Sequence, residues 1–264
     1  MSGSPKLKVE RLKAGYGGKV VLEDVSMEVA EREIRIVLGA SGCGKSTLLK
    51  TVIGLEKPLG GSIEMLGGAV DWSQGRPSSE LLRRIGVLFQ GGALLSSLSV
   101  GENVSLPLRI HNPGLPAEVV EALVRLKLEQ VKLGHAYHKL PNELSGGMRK
   151  RAGLARAIVT DPDLLFCDEP SAGLDPVTSR GLDELLLELR DSLGITMVVV
   201  THELDSIRTL CDRMTFLGGG KVVFDGGLEE AERNGPQEVK DFLERKPGEI
   251  RHTGRTVAFN LEDG

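Results

Sequence analysis

The chain has 264 residues, enough for one large domain with a core of its own, and its 40% hydrophobic and 27% charged residues are typical of a globular protein. With 33 Lys and Arg against 37 Asp and Glu, the formal net charge is −4. The sequence contains no concentrated basic block, which argues against nucleic acid as a partner.

Hydropathy and cysteine usage indicate where the protein works. No apolar stretch reaches the roughly 18–20 residues that a membrane-spanning helix needs, and the first residues carry no apolar signal segment. The three cysteines, Cys43, Cys167 and Cys211, lack metal-site spacing, so we expect free thiols in a reducing compartment. We therefore expect a cytoplasmic protein that reaches a membrane only through a partner.

The strand pattern indicates an α/β fold with a mainly parallel sheet. Segments 7–12 and 20–29 mix β-branched and charged residues, as antiparallel edge strands do, and predict an N-terminal antiparallel β-subdomain. Apolar strands of the buried type are predicted at 33–38, 85–89, 164–167 and 195–200. A helix at 45–53 follows the first of these through a Gly-rich turn. Strands that alternate with helices in this way favour parallel pairing.

Two helices have clear signals. Residues 176–193 begin at Pro176, end before Gly194 and carry an apolar stripe of leucines. A second helix is predicted at 117–131, where Glu121 and Arg125 are one turn apart.

The segment after Gln90 has a helical pattern without a strong strand signal. We therefore predict an inserted α-helical subdomain at about 91–160. The polar tail, 236–264, is predicted to contain one short helix near 238–244.

A phosphate-binding loop is the first motif that carries chemistry. Its glycines let the backbone curl so that successive N–H groups face phosphate oxygens. Lys45 is expected to reach the β- and γ-phosphates of a nucleotide, and the Ser46 hydroxyl to ligate Mg²⁺. The candidate phosphate-contacting residues are Gly39, Ala40, Ser41, Gly42, Cys43, Gly44, Lys45, Ser46 and Thr47.

Two acidic residues end the predicted strand at 164–167. Asp168, at the strand tip, is predicted to bind Mg²⁺ through its water shell. Glu169 is placed to orient and polarise an attacking water. Because a phosphate loop lies upstream, we interpret this pair as catalytic rather than as a helix cap or a surface pair.

Three single residues are further candidates for nucleotide contacts. Gln90 follows the strand at 85–89 and is a candidate contact for Mg²⁺ or the attacking water, with an ordinary polar strand end as the alternative. His202 follows the strand at 195–200, which favours a γ-phosphate contact. Tyr16, in an exposed Gly-rich turn, is expected to stack on a purine rather than serve as a plain turn aromatic.

A second anion-binding surface is predicted at Ser145, Gly146 and Gly147. These residues open a helix, so they supply backbone N–H groups, a hydroxyl and a positive helix end. A domain with two phosphate-binding surfaces can close its site against another copy of itself. Asp175, in the loop that follows Glu169, is predicted to be an N-cap and also to contact the nucleotide.

Taken together, these residues resemble those of the ATP-binding cassette (ABC) ATPases over about residues 6–230. The matching motifs, in the family's order, are the phosphate loop, Gln90, 144–148, 164–169, 171–175 and His202. The resemblance implies a P-loop NTPase core that uses ATP and Mg²⁺, with residues 6–235 as the ATPase domain and 236–264 as a C-terminal extension.

The resemblance also implies roles for individual residues. It implies a head-to-tail dimer in which Ser145 and Gly147 of one copy touch the γ-phosphate held by the other. It makes Glu169 the general base and His202 a switch contact, and it places adenine on the ring of Tyr16. The chain departs from the family pattern at Met148, where Gln is usual, because a thioether cannot donate the amide hydrogen bond.

A narrower resemblance concerns residues 89–104, FQGGALLSSLSVGENV, which look like those of bacterial ATPases that power phospholipid trafficking. It implies an integral membrane permease as partner, on the cytoplasmic side of the inner membrane of a Gram-negative bacterium. A small cytoplasmic accessory protein and an MCE-type lipid-binding protein are further implied partners. Ala93, Leu94, Leu95 and Leu98 suit a groove for a permease helix, with internal contacts as the alternative.

Other functions remain open from the sequence. A soluble ABC ATPase of the DNA-repair type has a long coiled-coil insertion, for which too few residues separate Gln90 from Ser145. The translation type usually has two cassettes in tandem, whereas this chain has one. A phosphate-loop kinase does not explain residues 144–148, and an ABC ATPase for another substrate stays an alternative.

Overall fold

The computed structural model describes residues 4–244, which form two β-sheets and the helices packed on them. The strands are β1 (Leu7–Tyr16), β2 (Lys19–Val29), β3 (Ile34–Gly39), β4 (Gly60–Met65), β5 (Gly68–Ala69), β6 (Ile85–Leu88), β7 (Leu164–Asp168), β8 (Thr196–Val200), β9 (Arg213–Gly218) and β10 (Lys221–Gly226). The α-helices are α1 (Lys45–Val52), α2 (Ser79–Arg83), α3 (Val100–His111), α4 (Ala117–Gln130), α5 (Gly146–Ala157), α6 (Pro176–Leu193), α7 (Leu204–Leu210), α8 (Leu228–Asn234) and α9 (Gln237–Leu243).

The amino-terminal sheet is antiparallel, with the strand order β2-β1-β4-β5. The prediction that residues 7–12 form an edge strand is wrong, because β1 pairs with β2 on one side and β4 on the other. Its charged residues, such as Lys8 and Glu10, alternate with the buried Leu7 and Val9. They mark the solvated face of a half-buried sheet, since an antiparallel sheet packs one face on the core and exposes the other.

The larger sheet has the order β10-β9-β3-β8-β7-β6 and is parallel except for the β9–β10 pair. All residues of β3 and β8 are buried, which agrees with the continuous apolar runs predicted for a sheet covered on both faces. The predicted α/β fold with a mainly parallel sheet is confirmed. Helix α1 lies between the two sheets and contacts strands of both.

Only helices and turns lie between β6 and β7 in the described chain, as the sequence predicted. Helices α3, α4 and α5 pack on one another, and α5 also contacts β6. Helix α3 begins with a capping box in which Ser99 and Glu102 satisfy each other's backbone N–H groups. The predicted ion pair on α4 is present, with Arg125 2.8 Å from Glu121.

The carboxyl-terminal part returns to the large sheet. Strands β9 and β10 form an antiparallel hairpin that the sequence analysis did not predict, and α8 and α9 follow. The short helix predicted near 238–244 is confirmed as α9, and its Phe242 packs edge-to-face on Phe216 of β9 with the ring centroids 5.4 Å apart. The rest of the predicted tail, 245–264, lies outside the described residues. Within residues 4–244, no helix combines the length and apolar character needed to cross a membrane.

Arg35 joins the two sheets through a buried ionic network. Its guanidinium, which is 3% exposed, donates to Glu33 and to Asp225 on β10, both at 2.6 Å. It also donates to the carbonyl oxygen of Glu28 on β2, at 2.5 Å. Burial raises the pKa of Asp225, but hydrogen bonds from Arg213 and Thr215 and the charge of Arg35 outweigh it, so the net shift is downward.

Replacing Arg35 with Met should lower the free energy of unfolding by about 3–5 kcal/mol, because it leaves the buried carboxylate of Glu33 without its cation and leaves Asp225 with Arg213 as its remaining cation. Urea denaturation followed by circular dichroism would measure the change. The matched control is Arg84→Met, which removes a surface pair with Asp163 and should cost about 1 kcal/mol or less. Equal losses in the two variants would contradict the role given to the buried network.

Candidate active site

The carboxyl ends of four adjacent parallel strands bring the predicted site residues to one edge of the large sheet. In the sheet order β3-β8-β7-β6, the phosphate loop follows β3 and His202 follows β8. Asp168 and Glu169 end β7, and Gln90 follows β6. Open parallel sheets bind ligands at this edge. Residues distant in the sequence therefore meet because the strands are parallel.

The phosphate loop has the backbone geometry that its glycines allow. Gly39, Gly42 and Gly44 have φ angles of 141°, 79° and 108°, a region that favours glycine. A Cβ atom on Gly39 would lie 2.2 Å from the carbonyl oxygen of Leu217, and one on Gly44 would lie 2.4 Å from Cδ2 of Leu22. The loop is therefore packed closely between the backbone of β9 and the side chains of β2.

Lys45 begins α1 and folds over the loop. Its ammonium donates to the carbonyl oxygens of Gly39, at 2.8 Å, and Ala40, at 3.1 Å. Ser46, next to it, is exposed, and Thr47 is buried. Cys43 is buried under the loop, with its Sγ 3.9 Å from the Lys45 ammonium.

The acidic pair on β7 and His202 form a compact cluster. Burial raises the pKa of Asp168, although Lys150, Lys50 and Lys45 act in the opposite direction. Nδ1 of His202 lies 2.8 Å from Oε1 of Glu169, and the other carboxylate oxygen, Oε2, is buried without a hydrogen-bond partner. Because such an orphan acceptor is costly, it marks a place where a donor from substrate or solvent fits.

Gln90 is held through its backbone while its side chain is exposed. Its carbonyl oxygen accepts a hydrogen bond from the buried ammonium of Lys150 on α5, which also donates to the carbonyl oxygen of Glu169 at 2.9 Å. Lys150 is not among the residues predicted from the sequence. Lys150 is three or four residues from Gly147 and Leu154, on the same buried face of α5. This helical spacing is the sequence signal that could have identified it.

Ser145, Gly146 and Gly147 lie at the start of α5, on a second surface of the chain. The Ser145 hydroxyl caps the helix by accepting from the N–H of Met148, at 3.2 Å. A Cβ on Gly147 would lie 2.4 Å from a methyl carbon of Thr178. Gly147 is therefore required by packing against α6, in addition to the anion-binding role predicted for it.

Asp175 begins the neighbouring helix α6, as predicted. Its carboxylate accepts from the backbone N–H groups of Val177, at 3.1 Å, and Thr178, at 3.0 Å. Val177 is 81% exposed. The starts of α5 and α6 thus form one exposed surface beside the site.

Tyr16 ends β1 at the turn into β2, and its side chain is 62% exposed. β2 passes the phosphate loop, because Val21 and Leu22 are the neighbours that a Cβ on Gly44 would meet. The ring thus belongs to the same hairpin that packs on the loop.

A buried carboxyl connects two elements of the site and was also missed. Asp183 on α6 accepts from the hydroxyls of Ser171, at 3.1 Å, and Ser206 on α7, at 2.7 Å. Ser171 follows Glu169 by two residues, and α7 follows His202. Burial raises the pKa of Asp183, although both serine hydroxyls lower it. A carboxylate within the leucine stripe of α6 is the sequence signal for this network.

The three cysteines are free thiols, as predicted. Burial raises the pKa of Cys167 and that of Cys211 to about 12. Both remain protonated at neutral pH and are unreactive as nucleophiles. They belong to the packing of the fold rather than to its chemistry.

The residues at the sheet edge fit a magnesium nucleotide. The loop supplies N–H donors and the Lys45 ammonium for phosphate, while the Ser46 hydroxyl and the Asp168 carboxyl are oxygen ligands of the kind that Mg²⁺ takes. No group of three or more His, Cys, Asp or Glu within residues 4–244 is arranged as a metal site. The fold and the site are those of a phosphate-loop nucleoside triphosphatase.

Comparisons with known proteins agree with this class. The family described as ABC transporter matches residues 22–172. The probable ribonucleotide transport ATP-binding protein mkl of Mycobacterium leprae is 38% identical over 237 residues, 90% of this chain and 68% of the relative. The methionine import ATP-binding protein MetN of Caulobacter vibrioides is 42% identical over 214 residues, 81% of this chain and 64% of the relative.

Two further matches cover most of both chains. MlaF, the ATP-binding protein of the Escherichia coli K12 intermembrane phospholipid transport system, is 37% identical over 228 residues, 86% of this chain and 84% of MlaF. The solved structure of the cassette MJ0796, a dimer in a post-hydrolysis state with ADP and Pi, has a TM-score of 0.75 and 29% identity, covering 84% of this chain and 98% of that one. The chain belongs to the ABC transporter family and is an ATPase of that family.

The Asp183 network predicts a pH-dependent stability difference. An acid whose pKa is raised on folding favours the protonated native state, so the native protein loses stability as pH rises from the unfolded value, 3.8, through the folded one. The variant Asp183→Asn cannot titrate at this position and does not lose stability in this way. Its Tm should therefore rise relative to that of the wild type as pH increases, by about 2–4 °C for each kcal/mol of unfolding free energy that the wild type loses.

Thermal melts of both proteins between about pH 4.5 and 8 measure the difference. Asp24→Asn, at an exposed carboxylate on β2 outside this network, is the control and should change Tm little at any pH in this range. A Tm difference for Asp183→Asn that is constant across this range would contradict the titration.

Proposed function

We propose that this chain is the nucleotide-binding subunit of an ABC transporter and that it powers phospholipid transport between the inner and outer membranes of a Gram-negative bacterium. The observation that carries the proposed chemistry is the meeting of the phosphate loop, Asp168 and the Glu169–His202 pair at one sheet edge. In this proposal residues 6–235 are the ATPase domain, with a helical subdomain at about 91–160, and residues 236–264 are an extension.

The phosphate loop holds ATP. N–H groups of residues 39–47 surround the phosphate oxygens, and Lys45 leaves its carbonyl partners to bind the β- and γ-phosphates. Tyr16 stacks on adenine. Ser46, Gln90 and Asp168 hold Mg²⁺, which supplies charge neutralisation for the phosphates when bound.

Glu169 acts as the general base. Its free oxygen, Oε2, accepts a proton from the attacking water as the water oxygen bonds to the γ-phosphorus and the bond to the bridging oxygen of ADP breaks. His202 fixes the other oxygen, Oε1. Its second ring nitrogen, Nε2, lies 3.6 Å from a carboxylate oxygen of Glu203 and would bind the γ-phosphate when ATP is present. The exposure of the His202 side chain, 57%, supports a role at a surface that is completed by a second chain.

The second copy supplies Ser145, Gly146 and Gly147, in a head-to-tail dimer. Support comes from the exposed joint surface of α5 and α6, which presents a capped helix start and Asp175. A helix start binds anions through its N–H groups and its dipole. Closure of two such surfaces around two ATP molecules would move the helical subdomains and lever the permease between states.

The transported substrate is proposed to be phospholipid, because residues 89–104 look like those of phospholipid-trafficking ATPases and MlaF matches across most of both chains. The exposed Leu95, 51% accessible, suits contact with a permease helix, whereas Leu94 packs on the core. The proposed location is the cytoplasmic side of the inner membrane. The proposed partners are a permease, a small accessory protein and an MCE-type lipid-binding protein, with no nucleic acid.

Glu169→Gln should bind ATP, reduce hydrolysis by at least about 100-fold and accumulate a closed dimer, because an amide cannot take the water's proton. Gel filtration with ATP and a phosphate-release assay measure the two effects. Lys45→Ala is the control, since it should lose ATP-dependent dimerisation together with hydrolysis. Hydrolysis by Glu169→Gln at the wild-type rate would overturn the base assignment.

Affinity purification from membranes tests the transported substrate. We expect a permease to copurify and lipid mass spectrometry to find phospholipid in the complex. In proteoliposomes, phospholipid-binding components should stimulate the ATPase rate, whereas methionine and pyrimidine ribonucleotides such as UMP should not. Stimulation of the ATPase rate by either small molecule would refute the phospholipid assignment. Purification of the protein with nucleic acid as its only partner would refute it as well.

A further inference from the structure

We infer that Lys150 is a positioning residue that fixes the backbone of Glu169 and joins it to the helix that carries the Ser145–Gly147 surface. The inference rests on the base role proposed for Glu169. In the proposed dimer, each ATP lies between the site at the sheet edge of one copy and the Ser145–Gly147 surface of the other, and Lys150 connects these two parts of one chain.

Lys150 is placed to act on the site from inside the protein. Its side chain is buried, 6% exposed, one turn after the start of α5. Its ammonium donates to the carbonyl oxygens of Gln90 and, at 2.9 Å, of Glu169. A buried ammonium is stable only when its N–H groups donate hydrogen bonds. The contacts with Lys150 therefore hold the two carbonyl groups in position.

The backbone of Glu169 needs such support. Its φ angle is 48°, in the left-handed region that side chains other than glycine rarely occupy. Conformations of this kind persist only where the surroundings hold them. The N–H of Glu169 donates to the carbonyl oxygen of Val200 on β8, at 2.8 Å, and Lys150 holds the carbonyl on the other side. Both backbone polar groups of the proposed base are therefore fixed.

The charges around Lys150 match a positioning role. Burial lowers its pKa, while the carboxylates of Glu169 and Asp168 raise it. Loss of the cation would remove this attraction and the hydrogen bond to the carbonyl oxygen of Gln90. The carbonyl oxygen of Glu169 would keep only the longer hydrogen bond from the N–H of Ala172, at 3.3 Å.

The same helix holds the segment after Gln90 at further points. Arg156 donates to the carbonyl oxygens of Gly92, at 2.8 Å, and Ala93, at 2.7 Å. A Cβ on Gly153 would lie 2.9 Å from the Cα of Gly92, so the two backbones are in close contact. Residues 90–93 are thus bound along α5, and Lys150 extends this attachment to Glu169. A shift of α5 on nucleotide binding by the other copy would move the backbone of the base.

The test compares three single variants by steady-state ATPase kinetics. Lys150→Met keeps the length of the side chain but removes its donors, and it should lower kcat about tenfold or more with KM for ATP within about threefold, because binding is kept while the base is misplaced. Lys150→Arg keeps a cation with several donors and should restore most of the kcat.

Lys127→Met is the matched control, because Lys127 is also a buried lysine, 2% exposed. It lies on α4, away from Glu169 in the chain, and its ammonium binds Asp161 at 2.5 Å. The substitution should lower Tm without lowering kcat at a temperature well below the transition. Equal kcat losses in the Lys150 and Lys127 variants would overturn the inference, as would an unchanged kcat in folded Lys150→Met. If Lys150→Met does not fold, Lys150→Leu replaces it, since it also lacks donors, and an unchanged kcat in that variant overturns the inference equally.

Failure of this inference is distinguishable from failure of the proposed base. Wild-type hydrolysis by Glu169→Gln removes the base role itself. If that variant is inactive but Lys150→Met is fully active, only the positioning role is lost. The double variant Lys150→Met/Glu169→Gln should still form the ATP-dependent dimer, and loss of that dimer would show that Lys150 serves ATP binding or dimerisation instead.

Discussion

The parallel alignment of β3, β8, β7 and β6 is the constraint on which the rest of the structure depends. Because all four strands end at one edge, the phosphate loop, His202, the acidic pair and Gln90 meet there although long segments separate them in the chain. The crossover connections of a parallel sheet leave room for the helical segment between β6 and β7. The surface proposed to bind a second phosphate, at the start of α5, lies on that segment.

Buried charges then join the parts that this alignment brings together. Arg35 on β3 ties the parallel sheet to the antiparallel one through the carbonyl oxygen of Glu28 on β2. Asp183 ties Ser171 to α7, and Lys150 ties α5 to the backbone at Glu169. A buried charge that loses its partner is costly, so each of these contacts resists separation. The site is thus assembled by directional polar contacts laid over an apolar core.

The sequence predicted much of this arrangement. The periodic leucines of α6, the phosphate loop and the acidic strand end are local signals, and each lies where the sequence placed it. The β9–β10 hairpin and the interior position of β1 were missed or misjudged, since strand neighbours depend on pairing with distant residues. Lys150 was missed because a lysine in a helix reads as a solvated residue unless its face is known to be buried.

By itself, the sequence determined which residue types are available for the chemistry: those suited to bind phosphate, those suited to accept a proton, and the predicted strands and helices next to them. These follow from residue type, short spacings and periodicity, all of which are local. Only the tertiary structure decided which groups share a hydrogen bond, that Oε2 of Glu169 is left without one, and that Gly147 is needed for packing against α6. Those facts depend on burial and on contacts between distant segments, and they exist only once the sheet has formed.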